Sequence, residues 1–216
     1  MLKEFLAGLA KSKGKIAFIQ SLDKSSKILD VGCGNNSPYS TKKICTNCHY
    51  TGLDVADYNQ TKPNLADDYI IAAPHEFTEA IKSFGPIFDA IIVAHNLEHC
   101  NDRWGTLTAL TTALKPGGRI YISFPSKKSL HLPSRGGTLN YYDDKTHKED
   151  PPDFEQVIST LEKNGMQLLF TAEEYKPFLM WLFGLLTEPY SRLINYNCKG
   201  TWAYHGFETV IWAEKI

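Results

Sequence analysis

Residues 28–35 read Ile-Leu-Asp-Val-Gly-Cys-Gly-Asn, an apolar strand that runs directly into a glycine turn. Ser37 and Pro38 follow and predict the N-cap and first residue of a helix. Glycines at such a turn allow positive φ angles and let the backbone approach a bound ligand. Further on, Leu53 and Asp54 end a second strand, where a carboxylate can bind both hydroxyls of a ribose. The stretch therefore predicts a nucleotide-type site at the carboxyl edge of a parallel sheet.

Strands and helices alternate outward from this unit. Apolar runs predict further strands at 50–54, 68–72, 88–94, 119–124, 166–170 and 207–213. Helical spacing or breakers predict helices at 77–84, 102–114, 153–164 and 177–186, and one more from Leu2, Phe5, Leu6 and Leu9. Because such alternation requires crossover connections, it predicts an α/β domain with a parallel sheet. The polar stretch 126–150 is predicted to be one long loop, a common place for function.

The composition indicates one ordinary globular domain. The 216 residues are 43% hydrophobic and 22% charged, with a formal net charge of −1, so no global field favours nucleic acid or an anionic membrane. The five cysteines are an odd number and favour a reducing cytoplasm over a disulfide framework. No secretory signal is expected, and the longest apolar run, 178–186, is too short for a transmembrane segment.

Four motifs in register resemble the class I S-adenosylmethionine (SAM)-dependent methyltransferases. They lie in order over residues 27–124 and comprise Leu29–Gly34, Gly52–Asp54, Phe88–Val93 with Asn96–His99, and Ala113–Gly118. The resemblance implies a single domain over 1–216, with a helical extension at 1–24 and an apolar insertion or cover at 172–200. It implies a seven-stranded, mostly parallel sheet with helices on both faces and the last strand antiparallel.

The same resemblance implies roles in SAM binding. Asp30, Gly32, Cys33 and Gly34 would form the loop beneath the methionine part, and Asp54 with Val55 would hold the ribose. Ala94, His95 and Asn96 would line the far side of the cofactor, near the reacting methyl group.

Two positions depart from the family pattern. Asn36 replaces the third glycine of the loop, although asparagine tolerates left-handed geometry better than most residues. The acid expected after the third strand is absent, so contact with adenine would fall to backbone groups or to His75.

The acceptor side depends on histidines in the loops that follow the fourth and fifth strands. A hydroxyl acceptor must lose a proton, so a base assists the reaction. His147, in a Thr-His pair that resembles the family, is the first candidate base, and His131 is the second. Either histidine could instead shape the pocket. Glu98 and His99 begin a helix, so they could have a structural role there or a role in function, and the sequence favours neither. Tyr141, Tyr142, Asp143 and Asp144 lie nearby in sequence.

Two tempting signals are set aside. Cys45-Thr-Asn-Cys48-His49 matches a haem-attachment pattern, but attachment requires export, and zinc would need two more ligands. Packed or loop thiols are expected there, and no metal site is predicted. Asp150-Pro-Pro-Asp153 faintly resembles an amino-methylation motif but stands in the wrong place, which argues against amino methylation of nucleic acid. No nucleic-acid partner is expected.

The sequence therefore predicts SAM-dependent methyl transfer, at oxygen, to a small molecule, lipid or sugar. The apolar 177–186 segment could cover an apolar acceptor, form a homodimer contact, associate loosely with a membrane, or be a core helix. A nicotinamide-dependent oxidoreductase and a catalytically inactive SAM-binding or scaffold protein are the alternatives. The missing third glycine disfavours the first, and methyl transfer to any acceptor would exclude the second.

Overall fold

A computed structural model describes residue 8, residues 10–57 and residues 60–216. Its sheet has seven strands in the order β3-β2-β1-β4-β5-β7-β6. The strands are β1 Lys27–Val31, β2 His49–Asp54, β3 Asp68–Ile71, β4 Phe88–Ala94, β5 Leu114–Pro125, β6 Met166–Ala172 and β7 Glu208–Lys215. β1 to β5 pair in parallel, whereas β7 runs antiparallel to both β5 and β6. The predicted fold class, with its antiparallel last strand, is confirmed.

Helices cover both faces of the sheet. They are α1 Lys15–Gln20, α2 Ser37–Ile44, α3 Phe77–Ser83, α4 Arg103–Ala113, α5 Phe154–Lys163, α6 Phe178–Leu193 and α7 Thr201–His205. Leu29 and Ile91 face the side covered by α3, α4 and α5, and Ile28 and Ile92 face the side covered by α1. Successive residues of a strand point to opposite faces, so these central strands must be apolar on both. The core therefore holds the carboxyl ends of β1, β2 and β4 in fixed register.

The segments that differ from expectation lie mostly after residue 113. β5 begins directly after α4 and includes Lys115–Gly118, which was predicted to be a breaker. α6 continues to Leu193 rather than ending at 186, and the five-residue α7 was not predicted. Ser37 is the first helical residue rather than the N-cap, a position that Asn36 takes. The helix predicted from Leu2 to Leu9 lies outside the described residues.

The predicted long loop 126–150 contains only short 3-10 turns, at Lys127–His131 and Tyr141–Asp143. Two contacts, one from Lys148 and one from Arg135, hold the loop against the rest of the domain. The backbone N–H of Lys148 donates to the carbonyl of Glu98 at 3.1 Å, just after β4. Arg135 Nη2 lies 2.9 Å from Glu188 Oε1 on α6, both side chains being buried. The loop is thus held between the end of β4 and the 178–205 segment.

Candidate functional site

The glycine turn after β1 has the left-handed geometry that the sequence predicts. Gly32, Gly34 and Asn36 have φ angles of 65°, 57° and 64°. A Cβ atom on Gly32 would lie 2.3 Å from Nδ2 of Asn96, so only glycine allows the turn to approach the end of β4 this closely. Asn36 therefore provides the left-handed geometry of the missing third glycine, as expected.

Asp54 ties this turn to the end of β2. Its Oδ2 accepts a hydrogen bond from the N–H of Gly34, and its Oδ1 accepts one from the N–H of Val55, both at 2.7 Å. The residue is only 4% exposed, and burial raises the pKa of its carboxyl group although the two N–H donors lower it. Because an ionised carboxylate has about four acceptor positions, both oxygens remain able to accept a further hydrogen bond.

Asp30 supports the turn from beneath. Its Oδ2 accepts hydrogen bonds from Lys15 Nζ at 2.9 Å, Ser37 Oγ at 2.6 Å and Tyr50 OH at 2.8 Å. The network joins α1, β1, α2 and β2 below the glycine turn. Cys33 is also buried, and its sulfur lies where a Cβ atom on Gly52 would meet it at 3.1 Å.

A cavity of about 700 Å³ opens above these groups, at the carboxyl edge of the sheet. Seven of the residues predicted to bind the cofactor line it: Gly32, Gly34, Asp54, Val55, His75, His95 and Asn96. Asp30, Cys33 and Ala94 lie outside this lining. A volume of this size falls within the range of ligand pockets, about 300 to 1,000 Å³.

His95 forms a fixed positive charge in the cavity wall. Its φ of 52° turns the chain sharply after β4, and its ring nitrogens lie 3.3 Å from Oε1 of Glu98 and 3.3 Å from Oε1 of Glu208. Burial lowers the pKa of His95, but the two carboxylates outweigh it and raise the pKa to about 9. Burial likewise raises the pKa of Glu208, whereas His95 and Lys11 hold it at about 2. The ring is therefore protonated at neutral pH.

The opposite wall brings together the end of β4 and the 126–150 loop. His99, Asp144 and Thr146 line the cavity there, and His147 lies behind them with its side chain 7% exposed. The rings of His99 and His147 are 4.9 Å apart, and the ring of His147 stacks on Tyr141 at 4.1 Å. Burial lowers the pKa of His147, which keeps its ring neutral at pH 7. His131 is exposed at the end of a 3-10 turn and is not part of the cavity lining.

Several lining residues were not singled out for a role by sequence reasoning, among them Thr78, Glu79, Asp102, Thr106 and Lys148. They come from α3, α4 and the long loop, whose side chains carry no motif of their own. The exception is His99, which adjoins Glu98 in a motif of the resemblance and could have been paired with the Thr146–His147 dipeptide.

The Cys45–His49 segment leads into β2, whose first residue is His49, and none of it lines the cavity. Both thiols are buried on the α1 side of the sheet, and the sulfur of Cys45 is 3.5 Å from the carbonyl oxygens of Asp23 and Lys24. His49 instead pairs with Asp68 at 2.7 Å. The thiols therefore pack in the core, as expected.

Comparison with known proteins identifies the family. A methyltransferase-domain family model matches residues 3–176. The 27-O-demethylrifamycin SV methyltransferase of Amycolatopsis mediterranei is 25% identical over 54% of this chain and 46% of its own length. A ubiquinone biosynthesis O-methyltransferase of Dinoroseobacter shibae is 30% identical over 46% of this chain and 41% of its own. The chain therefore matches less than half the length of these relatives.

Solved structures agree on the fold. A SAM-dependent methyltransferase from Mesorhizobium loti superposes with a TM-score of 0.62 at 13% identity, covering 93% of this chain and 97% of that one. The plantazolicin methyltransferase BpumL, solved with S-adenosylhomocysteine (SAH), gives 0.62 at 20% identity, covering 99% and 85%. The chain belongs to the SAM-dependent methyltransferase family, whose cofactor is SAM. Among the described residues, no helix is both long and apolar enough to cross a bilayer.

Proposed function

We propose that this protein transfers the methyl group of SAM to an oxygen atom of a small-molecule, lipid or sugar acceptor. The proposal rests on one cavity that is lined by two sets of residues. Gly32, Gly34 and Asp54 form the part that we call the cradle, and His99, Asp144 and Thr146 form the acceptor wall. The cradle offers backbone and carboxylate groups suited to a nucleoside with a methionine tail. The facing wall offers imidazole, carboxylate and hydroxyl groups suited to an acceptor.

The reaction needs alignment and a proton acceptor. The acceptor hydroxyl loses its proton, its oxygen lone pair forms the bond to the methyl carbon, and the carbon–sulfur bond breaks with its electrons passing to sulfur. The products are a methyl ether and SAH. We assign His147 as the base, acting through His99: His99 lines the cavity, and its ring lies 4.9 Å from the ring of His147, so the acceptor's proton would reach His147 by way of the His99 ring. His131 is assigned no step, since it is exposed and outside the lining.

The relatives support oxygen as the acceptor atom without fixing it. The rifamycin and ubiquinone enzymes are named as O-methyltransferases or act on an O-demethylated compound. The sterol 24-C-methyltransferase of Kluyveromyces lactis, 25% identical over 56% of this chain and 34% of its own length, is named for methylation at carbon. The family assignment favours methyl transfer over the oxidoreductase alternative. All five cysteines are free thiols, which is compatible with the cytoplasm.

Two measurements test the proposal. Calorimetric titration with SAH should give one site per chain, whereas NADH should give no heat above dilution; failure to bind SAH would overturn the proposal. Incubation with tritiated-methyl SAM and fractionated cell extract should then label small molecules rather than protein or nucleic acid. A protein that binds SAH and labels no fraction would fit the inactive scaffold instead.

We also propose that the apolar face of α6 is a homodimer contact. Phe178, Leu179, Phe183 and Leu186 are 69%, 55%, 46% and 72% exposed, although each is apolar. Exposed apolar side chains grouped on one helix more often mark a surface that binds another molecule than a surface that stays in contact with water. Sedimentation should find a dimer that Leu186→Glu dissociates. A wild-type monomer would refute this assignment, and binding of that monomer to lipid vesicles would support a membrane contact instead.

A further inference from the structure

Three potential metal ligands meet beside the cavity, and one of them, His99, lines it. Glu98 and His99 belong to the 3-10 turn Leu97–His99 after β4, and His147 belongs to the long loop. Each offers one ligand atom, and the three atoms all lie within 4.8 Å of one another. The cluster therefore joins two chain segments that are far apart in sequence at one edge of the site.

Glu98 has a buried carboxylate with unused acceptor capacity. The residue is 0% exposed, and within the described part of the chain neither of its oxygens accepts a hydrogen bond. His95 Nδ1 lies 3.3 Å from Oε1 at an ion-pair distance. A buried carboxylate normally has several hydrogen bonds, since an unsatisfied charged acceptor costs more than a neutral one. The second oxygen in particular lacks a described partner.

The two imidazoles are oriented as metal ligands usually are. Nδ1 of His147 is 2.7 Å from the carbonyl oxygen of Tyr141, which can only accept, so Nδ1 carries the proton. The Thr146 hydroxyl donates its one proton to Asp144 Oδ1 at 2.6 Å, so it must accept from His99 Nδ1 at 3.0 Å. Both Nε2 atoms therefore hold a free lone pair. Metal-bound histidines almost always donate their other N–H in this way.

We infer that Glu98, His99 and His147 bind a divalent transition-metal ion of the zinc type. Two imidazoles with one carboxylate are a ligand set of catalytic zinc sites, which leave further positions open. Mg²⁺ and Ca²⁺ would prefer oxygen ligands. At bond lengths of about 2.1 Å, tetrahedral ligand atoms lie about 3.4 Å apart, so ligand atoms that now lie up to 4.8 Å apart must approach by at most about 1.4 Å.

The surrounding charges balance a divalent ion. Glu98 supplies one negative charge, and Asp144, whose Oδ2 lies 4.0 Å from His147 Nε2, supplies a second at the cavity. The nearby positive charge of His95 is offset by Glu208.

A bound ion would deepen the proposed function, on which this step rests. With the ion present, His99 and His147 are ligands rather than bases. The open positions would take the acceptor oxygen and lower the pKa of its hydroxyl, whose proton leaves to water. The preferred acceptor would then be a hydroxyl flanked by a second oxygen that can also coordinate.

The test is metal binding by the chelator-treated protein, measured independently of methyl transfer. Zn²⁺ should bind in calorimetry at one ion per chain, and Co²⁺ should give visible bands of nitrogen and oxygen ligation. His99→Ala and Glu98→Gln should each weaken Zn²⁺ binding by about 100-fold or more. His131→Ala, an exposed histidine on the same loop, is the matched control and should change nothing.

Three results would overturn the inference: no Zn²⁺ binding by the wild-type protein, equal affinity in His99→Ala, or a thiolate-to-cobalt charge-transfer band, which would show that cysteine rather than this ligand set binds the ion. If Glu98→Gln fails to fold by circular dichroism, His147→Gln replaces it. SAH titration in the same samples separates the two proposals. SAH binding without Zn²⁺ binding defeats only the metal site, whereas Zn²⁺ binding without SAH binding defeats the proposed function.

Discussion

Replacement of Asp54 by alanine removes the carboxylate that joins the glycine turn to the predicted ribose site. In the wild-type protein this group accepts hydrogen bonds from the N–H groups of Gly34 and Val55, each at 2.7 Å. Each oxygen keeps a lone pair directed away from the protein's own donors. If Asp54 binds the ribose, Asp54→Ala removes two hydrogen bonds to a charged acceptor.

The size of the effect follows from those two bonds. Hydrogen bonds to a charged group contribute about 1.5 to 3 kcal/mol each. At the lower value the loss is about 3 kcal/mol, which corresponds to roughly 150-fold weaker SAH binding. The turn also loses its anchor, but water can reach the half-buried Gly34, so unfolding free energy should fall by only about 1 to 2 kcal/mol. Because burial raises the pKa of Asp54, SAH affinity should already weaken as the pH falls toward that raised pKa.

Calorimetric titration with SAH measures the affinity, and urea unfolding confirms that each variant is folded. Asp57→Ala is the matched control, since Asp57 is an exposed carboxylate a few residues further along the same loop. A folded Asp54→Ala protein whose dissociation constant stays within threefold of the wild-type value would refute the ribose role.

Three further substitutions test the packing that supports the site. Gly32→Ala places a Cβ atom 2.3 Å from Asn96 Nδ2 at a φ of 65°. The free energy of unfolding, measured in urea, should therefore fall by about 2 kcal/mol or more. Unchanged stability would mean that the turn does not approach Asn96 as described. Glu188 has its pKa lowered to about 2 from 4.5, because its pairing with Arg135, Arg192 and His205 outweighs burial. Its contribution to the free energy of unfolding is therefore complete above pH 4.5 and lost as the pH falls toward 2. In Glu188→Gln the free energy of unfolding should fall less steeply over this pH range than in the wild-type protein. A variant curve that runs parallel to the wild-type curve would contradict this. Lys15→Met leaves the buried Asp30 without its cation and should lower the free energy of unfolding, measured by heat or urea, by about 2 to 3 kcal/mol. A loss below about 0.5 kcal/mol would show that the hydrogen bonds from Ser37 and Tyr50 are enough to stabilise the Asp30 carboxylate.

The sequence predicts the first half of the fold well because its central strands are apolar on both faces. Phe88–Ala94 was predicted at its observed bounds, and the turn geometry at Asn36 followed from the tolerance of asparagine for positive φ. Both features are determined by residues that are neighbours in the sequence. They can therefore be predicted without knowing which distant segments of the chain contact one another.

The second half was predicted less well because its polar residues face inward. On α6, Glu188 and Ser191 are buried while Leu186 and Leu193 are exposed. A helix with this inverted pattern gives no clear end in the sequence, so its continuation beyond 186 was missed. Glu188 is buried only because Arg135 reaches it from the long loop, a contact between residues 53 positions apart.

The candidate site divides in the same way. Asp54 could be predicted because it ends a strand next to the glycine turn. The support of Asp30 by Lys15 and Tyr50 could not, because three separate elements meet there. The pairing of His99 with His147 likewise depends on how the long loop folds back.

The segment after β4 takes part in both sides of the cavity, and this has a consequence for how variants should behave. Asn96 packs against Gly32 on the cofactor side, whereas Glu98 and His99 face the loop on the acceptor side. A change at Asp54 should therefore affect the cofactor alone, and a change at Asp144 the acceptor alone. A change at Asn96 removes the side-chain contact with Gly32, and it also removes the Oδ1 that lies 3.4 Å from the sulfur of Cys100, directly after the Leu97–His99 turn. Asn96→Ala should thus raise the KM values of SAM and of the acceptor together.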